Sequence, residues 1–134
     1  MVHTALVIKQ YLNTSGTALK TSIGSNLFWE RVNNFDGSTS KGLMYRIRAG
    51  ATDIDVPIHD LQVDFFCYGG SDTFDASYSI YRQLHDVLHG KTSMKVNDGF
   101  IISASEIVKG QNLVDPDTKW LFTLTTYSIT LRNN

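Results

Sequence analysis

The sequence predicts an α+β fold: a mainly antiparallel sheet, one long helix packed on it, and a short helix at the N-terminus, in the order α-β-β-β-α-β-β. Three observations predict it. Segments 43–49 and 60–69 alternate apolar and polar residues with the period of two expected of half-buried strands. Between 71 and 89 the period becomes helical, with Phe74, Tyr78, Tyr81, Leu84 and Leu88 at spacings of four, three, three and four. Two more strand-like segments, 99–108 and 119–132, follow that helix.

The elements can be justified in order. In "ALVIKQYL" (5–12), Ala5, Ile8 and Leu12 fall at helical spacing, with Thr4 placed to cap and Gly16 to stop the helix. "NLFWERV" (26–32) is aromatic and β-branched, as a strand is. A polar loop, 32–42, leads to "LMYRIRA", where Leu43, Tyr45 and Ile47 point one way and Met44, Arg46 and Arg48 the other. Pro57 closes the connection "GATDIDVP" because a proline disfavours a central strand. On 60–69, Leu61, Val63, Phe65 and Cys67 share one face; Gln62, Asp64, Phe66 and Tyr68 share the other.

The helix of 71–89 would be ~28 Å long, enough to cover the face of a small sheet. Asp72 and Asp75 suit its N-terminus, and Gly90 its stop. "GQNLVDPDT" is read as a turn between the last two strands. In the final strand Trp120, Phe122 and Leu124 share a parity that Tyr127, Ile129 and Leu131 do not. Either a β-bulge or sharp bend near Thr125–Thr126, or apolar residues on both faces of a buried strand, would explain that.

The 134 residues suit one domain, 1–134, and a modest core. A formal net charge of −1 gives no global basic field of the kind that holds a protein on nucleic acid. The lone Cys67 can make no intramolecular disulfide and is expected as a small buried hydrophobe. The first residues lack a signal-peptide pattern, and no apolar run approaches the ~20 residues that span a bilayer. A protein made in a cytoplasm, with no membrane partner, is the expectation.

Chemistry has little to stand on. His85 and His89 are four apart on the long helix, the spacing at which two imidazoles share a metal. A metalloprotease would place Glu after the first histidine; here that residue is Asp86, and a third ligand is not evident. His89, in the last helical turn, is better placed as a cation on the helix dipole. His59 beside Asp60 has no nucleophile to serve, since Cys67 is eight residues further along the same strand. "GGSDTFD" precedes a helix, but its aspartates would repel an anion. No enzyme, cofactor or metal is expected; a small metal-dependent hydrolase using His85 and His89 is the alternative from another class.

Contacts are better served. Phe66 and Tyr68 stand opposite the face that would pack under the long helix, as a possible exposed docking face. With aromatics on both faces of several strands, the second face needs self-association, a docked partner, or a small core layer made by helix 5–12.

The element order and two segments carry a resemblance. "VPIHDLQVDFFCYGG" with its Val63-Asp64-Phe65 strand, and the helix through Ala76, Ile80, Tyr81, Arg82, Leu84, Asp86 and Leu88, resemble the tail terminator, or tail-to-head joining, proteins of long-tailed bacteriophages. The resemblance implies a structural virion protein made in the host cytoplasm. It would form a homo-oligomer, usually a hexameric ring, that caps the tail tube protein and presents a joining surface to the head connector at the neck. DNA would pass through without being bound specifically. Another neck or head-completion protein of similar size is the alternative within that class.

Charge is sorted along the chain in a way that suits such a ring. Arg46 and Arg48 are followed by no Lys or Arg until Arg82, while Asp53, Asp55, Asp60, Asp64, Asp72 and Asp75 fall between. Arg46 and Arg48 against Asp53 and Asp55 would match a head-to-tail interface or channel rim. Ordinary solvated surface charges, worth ~0–1 kcal/mol per pair, are the bland alternative.

Overall fold

The computed structural model describes residues 4–15, 17–30, 35–52 and 58–133. Among these residues, three helices and a six-stranded sheet make a mixed α+β fold. The helices are α1 (Thr4–Ser15), α2 (Thr17–Ile23) and α3 (Phe74–Leu88). The strands are β1 (Leu27–Trp29), β2 (Lys41–Thr52), β3 (Ile58–Gly69), β4 (Lys91–Val96), β5 (Gly99–Val114) and β6 (Leu121–Asn133), in the spatial order β1-β2-β3-β6-β5-β4. Every neighbouring pair is antiparallel except β1–β2.

Two elements differ from the expected order: α2 and β4 are additional. The turn read at "GQNLVDPDT" is also shorter, because β5 continues to Val114. The predicted bulge in the last strand is absent. β3 and β6 pair without interruption from Ile58↔Arg132 to Tyr68↔Phe122. Instead β6 buries its odd positions, Thr123 to Leu131, and places Phe122 and Leu124 on the other face. The irregularities lie next door, where β5 shifts register at Ile101/Ser103, Glu106/Val108 and Val108/Gln111.

One face of the sheet packs against all three helices. Leu43, Tyr45, Val63, Phe65, Cys67, Ile101, Tyr127, Ile129 and Leu131 contribute from the strands; Val7, Ile8, Tyr11, Leu19, Ile80, Leu84 and Leu88 from the helices. α1 lies in this layer, with the Tyr45 hydroxyl donating to the Ala5 carbonyl at 2.7 Å and that of Tyr11 to Val87. It therefore forms no second layer on the opposite face. Cys67 is fully buried, and burial pushes its thiol pKa well up, so it packs as a hydrophobe.

Candidate functional site

The opposite face of the sheet holds the residues singled out by sequence. Even-numbered positions of β3 point there, and register sets their neighbours: Arg46↔Asp64↔Thr126 form one row across β2, β3 and β6, and Met44↔Phe66↔Leu124 the next. Between Ile47 and Ala49 the β2 register shifts, so Arg48 is an extra residue on its strand. A bulge re-aims a side chain. Here both guanidiniums reach one carboxylate.

Asp64 is the centre of that arrangement. Arg48 donates through Nε to Oδ2 at 3.0 Å and through Nη2 to Oδ1 at 2.8 Å; Arg46 Nη2 donates to Oδ2 at 3.1 Å. Thr126 Oγ1 completes the set on Oδ1 at 2.7 Å. Four donors thus saturate a carboxylate whose side chain is 1% exposed, while the arginines remain 54% and 51% exposed. Burial alone would raise the Asp64 pKa; the bonds from Thr126, Arg48 and Arg46 outweigh it and hold the value below the usual one. Two cations on one anion leave a net positive spot with outward-facing N–H groups.

Beside it runs an aromatic belt. The Arg46 guanidinium sits 5.6 Å from the centre of the Phe66 ring. Phe66 meets Phe122, Phe122 meets Tyr68, and Tyr68 meets Trp120 and Phe35, with ring centres 5.6–5.8 Å apart. Phe35 also touches Phe28 and Trp120. Glycines let the 35–40 turn lie this close: a Cβ on Gly37 would come within 2.6 Å of Trp120, and one on Gly42 within 2.7 Å of Phe35. Tyr68 is consequently buried, 5% exposed, with its pKa pushed up to about 12 by burial first and then by Asp115 and Cys67. That corrects the expectation of Phe66 and Tyr68 as an exposed pair: Phe66 is half-buried, and Tyr68 lies beneath the chain's own aromatics.

Asp53 and Asp55 lie outside the described residues, so the predicted pairing with Arg46 and Arg48 has no geometry here. Sequence reasoning missed the partner that the arginines do have. Its signal was Asp64 itself, an acid of the right parity on the adjacent strand.

The histidines have structural contacts. The His85 and His89 rings stack at 4.5 Å, inclined by 16°. His89 Nδ1 accepts the Glu106 backbone N–H at 3.0 Å. That bond tethers α3 to β5. Among the described residues no group of three or more His, Cys, Asp or Glu could hold a metal. His59, 8% exposed, is buried on β3.

No family model matches the chain, and no curated protein does. Solved structures do. The fold is similar to that of a chain in the virion of a native gene transfer agent particle, 13% identical, with a TM-score of 0.60 over 94% of this chain and 92% of that one. A second solved chain, 11% identical, covers 100% of this chain and 97% of its own length with a TM-score of 0.57. At these identities the likeness is one of fold, end to end. No helix among the described residues is long and apolar enough to cross a membrane.

Proposed function

We propose that this chain is a structural subunit of a phage-like particle: a single tail-terminator-like domain that caps the tail tube as a hexameric ring and meets the head connector at the neck. The observation that carries this reading is the fold shared, over nearly all of both chains, with a chain of a virion particle. The resemblance of the Val63-Asp64-Phe65 strand and the helix after it to tail terminators supports the finer assignment. The sheet face described above supports an assembly role. Asp64 fixes two arginines that remain about half exposed, and an acceptor such as Asp53 or Asp55 of a neighbouring copy could meet them. Such a protein works by fitting its neighbours and needs no chemistry of its own.

Light scattering over a concentration series at low and high salt tests this, together with electron microscopy of tail tubes mixed with the protein. The expected result is a ring-sized species, or rings on tube ends, weakened by salt. A monomer under all conditions that leaves tube ends bare would overturn it. Rings that bind head connectors but never tubes would favour another neck protein instead.

A further inference from the structure

Both edges of the sheet are half covered, at opposite ends. β1 lies against Leu43–Tyr45 of β2, and among the described residues no strand covers the outer side of β2 from Arg46 to Thr52. β4 lies against Gly99–Ala104 of β5. His89 then takes the Glu106 N–H, and beyond it, from Ile107 to Val114, no described strand covers β5.

The ladders show how these half-covers relate. Leu43↔Cys67↔Thr123↔Asn112 puts β1 level with the uncovered end of β5. Ala104↔Ile129↔Leu61↔Gly50 puts β4 level with the uncovered end of β2. Directions agree as well: β1 and β4 both run with β2, and against β5.

We propose that two copies of this chain join edge to edge, uninverted, with β1 of one filling the strand position beyond β4 of the other. β1 would pair antiparallel with β5, and β4 would run parallel to the neighbour's β2, as β1 itself does within the chain. The two short strands share one position without overlapping. This contact rests on the ring reading and gives it a mechanism, because one edge meets a different edge and the operation repeats.

The exposed large hydrophobics support this choice of occupant. Apart from Leu6, they are Trp29 on β1, and Tyr78, Ile107, Val108, Leu113 and Val114 on or beside the open β5 edge. Trp29 shares a parity with Tyr45, which faces the helix layer. On that face, between α3 and β5, lies a groove of about 470 Å³ lined by residues including Phe74, Tyr78, Arg82, Gln83 and Asn112. Gln83 Oε1 is a buried acceptor with no donor among the described residues, and an incoming polar hydrogen would satisfy it. A tryptophan entering a groove beside an open strand edge combines an anchor with strand addition.

Two single-cysteine variants test this. Glu30 follows Trp29, the last paired residue of β1, and donates its N–H to the Tyr45 carbonyl; Arg46, the next residue of β2, is level with Val108 through Asp64 and Thr126. Glu30→Cys and Val108→Cys proteins are oxidised separately and as a mixture, with mass measured by light scattering; the native Cys67 is buried and silent. A disulfide formed only in the mixture is expected, as is a several-fold weaker association of Trp29→Ala. A ring-sized mass without the mixed disulfide would overturn the edge contact while leaving the ring reading intact. A disulfide in Val108→Cys alone would overturn it in favour of β5 pairing with itself. A monomer throughout, even with tail tubes present, would remove both readings.

Discussion

The two faces of the sheet bury their residues by different means. Under the helices, side chains such as Phe65, Leu84, Leu88 and Ile129 are held by apolar packing that the chain supplies entirely. On the other face, the buried residues include Asp64, Tyr68, Thr126 and, beside Tyr68, Gly42, and their burial is achieved by arginines and aromatics that include partly exposed ones. The first face is filled by the chain's own side chains except at the groove between α3 and β5. The second is fixed at its centre and open at its rim, the arrangement of a surface prepared to meet something.

Substitutions can break that comparison. Leu84→Ala, in the closed layer, should cost about 3 kcal/mol in a urea titration, since a buried leucine leaves a cavity behind. On the open face, Arg48→Ala removes two of the four donors from a buried carboxylate and should cost about 2 kcal/mol. If Arg48→Ala proves as costly as Leu84→Ala, the faces do not differ as described.

Acid sharpens the contrast further. The folded Asp64 carboxyl has a pKa below its usual value, so its stabilisation is complete above the unfolded value of about 3.9 and is lost as pH falls through the folded value. The stability difference between the native chain and Asp64→Asn, measured by denaturation from neutral pH down to about 2.5, should therefore shrink toward zero below pH of about 3.9. Leu84→Ala should show no such convergence. The smallest effect expected is that of His89→Ala, about 1 kcal/mol for one lost backbone tether.

The same contrast explains what was legible in the sequence. The closed face announces itself: Tyr81, Leu84 and Leu88 mark α3, and Val63, Phe65 and Cys67 mark the buried side of β3. Elements with little to bury do not. α2 offers Leu19 and Ile23 to the core, and its seven residues are too few to show a helical stripe. β4, "KTSMKV", is a largely solvated edge strand, with Ser93 at a positive φ of 58° breaking its alternation. β5 beyond Glu106 looks like a turn because Gly110, Gln111 and Asn112 favour one, and its register shifts hide its parity. The site was half legible. Both arginines and Asp64 could be assigned to a face, but their meeting depends on a register and a bulge that pair residues 16 and 18 apart in the chain. Burial of Tyr68 depends on Trp120, further away still.

The register shifts of β5 have a consequence of their own. That strand uses 16 residues alongside the 13 of β6, so it carries slack, as the outer lane of a bend does. Removing one residue between Glu106 and Gln111, away from Gly110 where the strand packs on Tyr81, would take up some of that slack. The residues beyond it would keep their β6 partners, Leu113 with Phe122 and Val114 with Leu121, so the change would fall on the bend alone. Length in this one segment is thus a dial for the curl of the sheet at its rim.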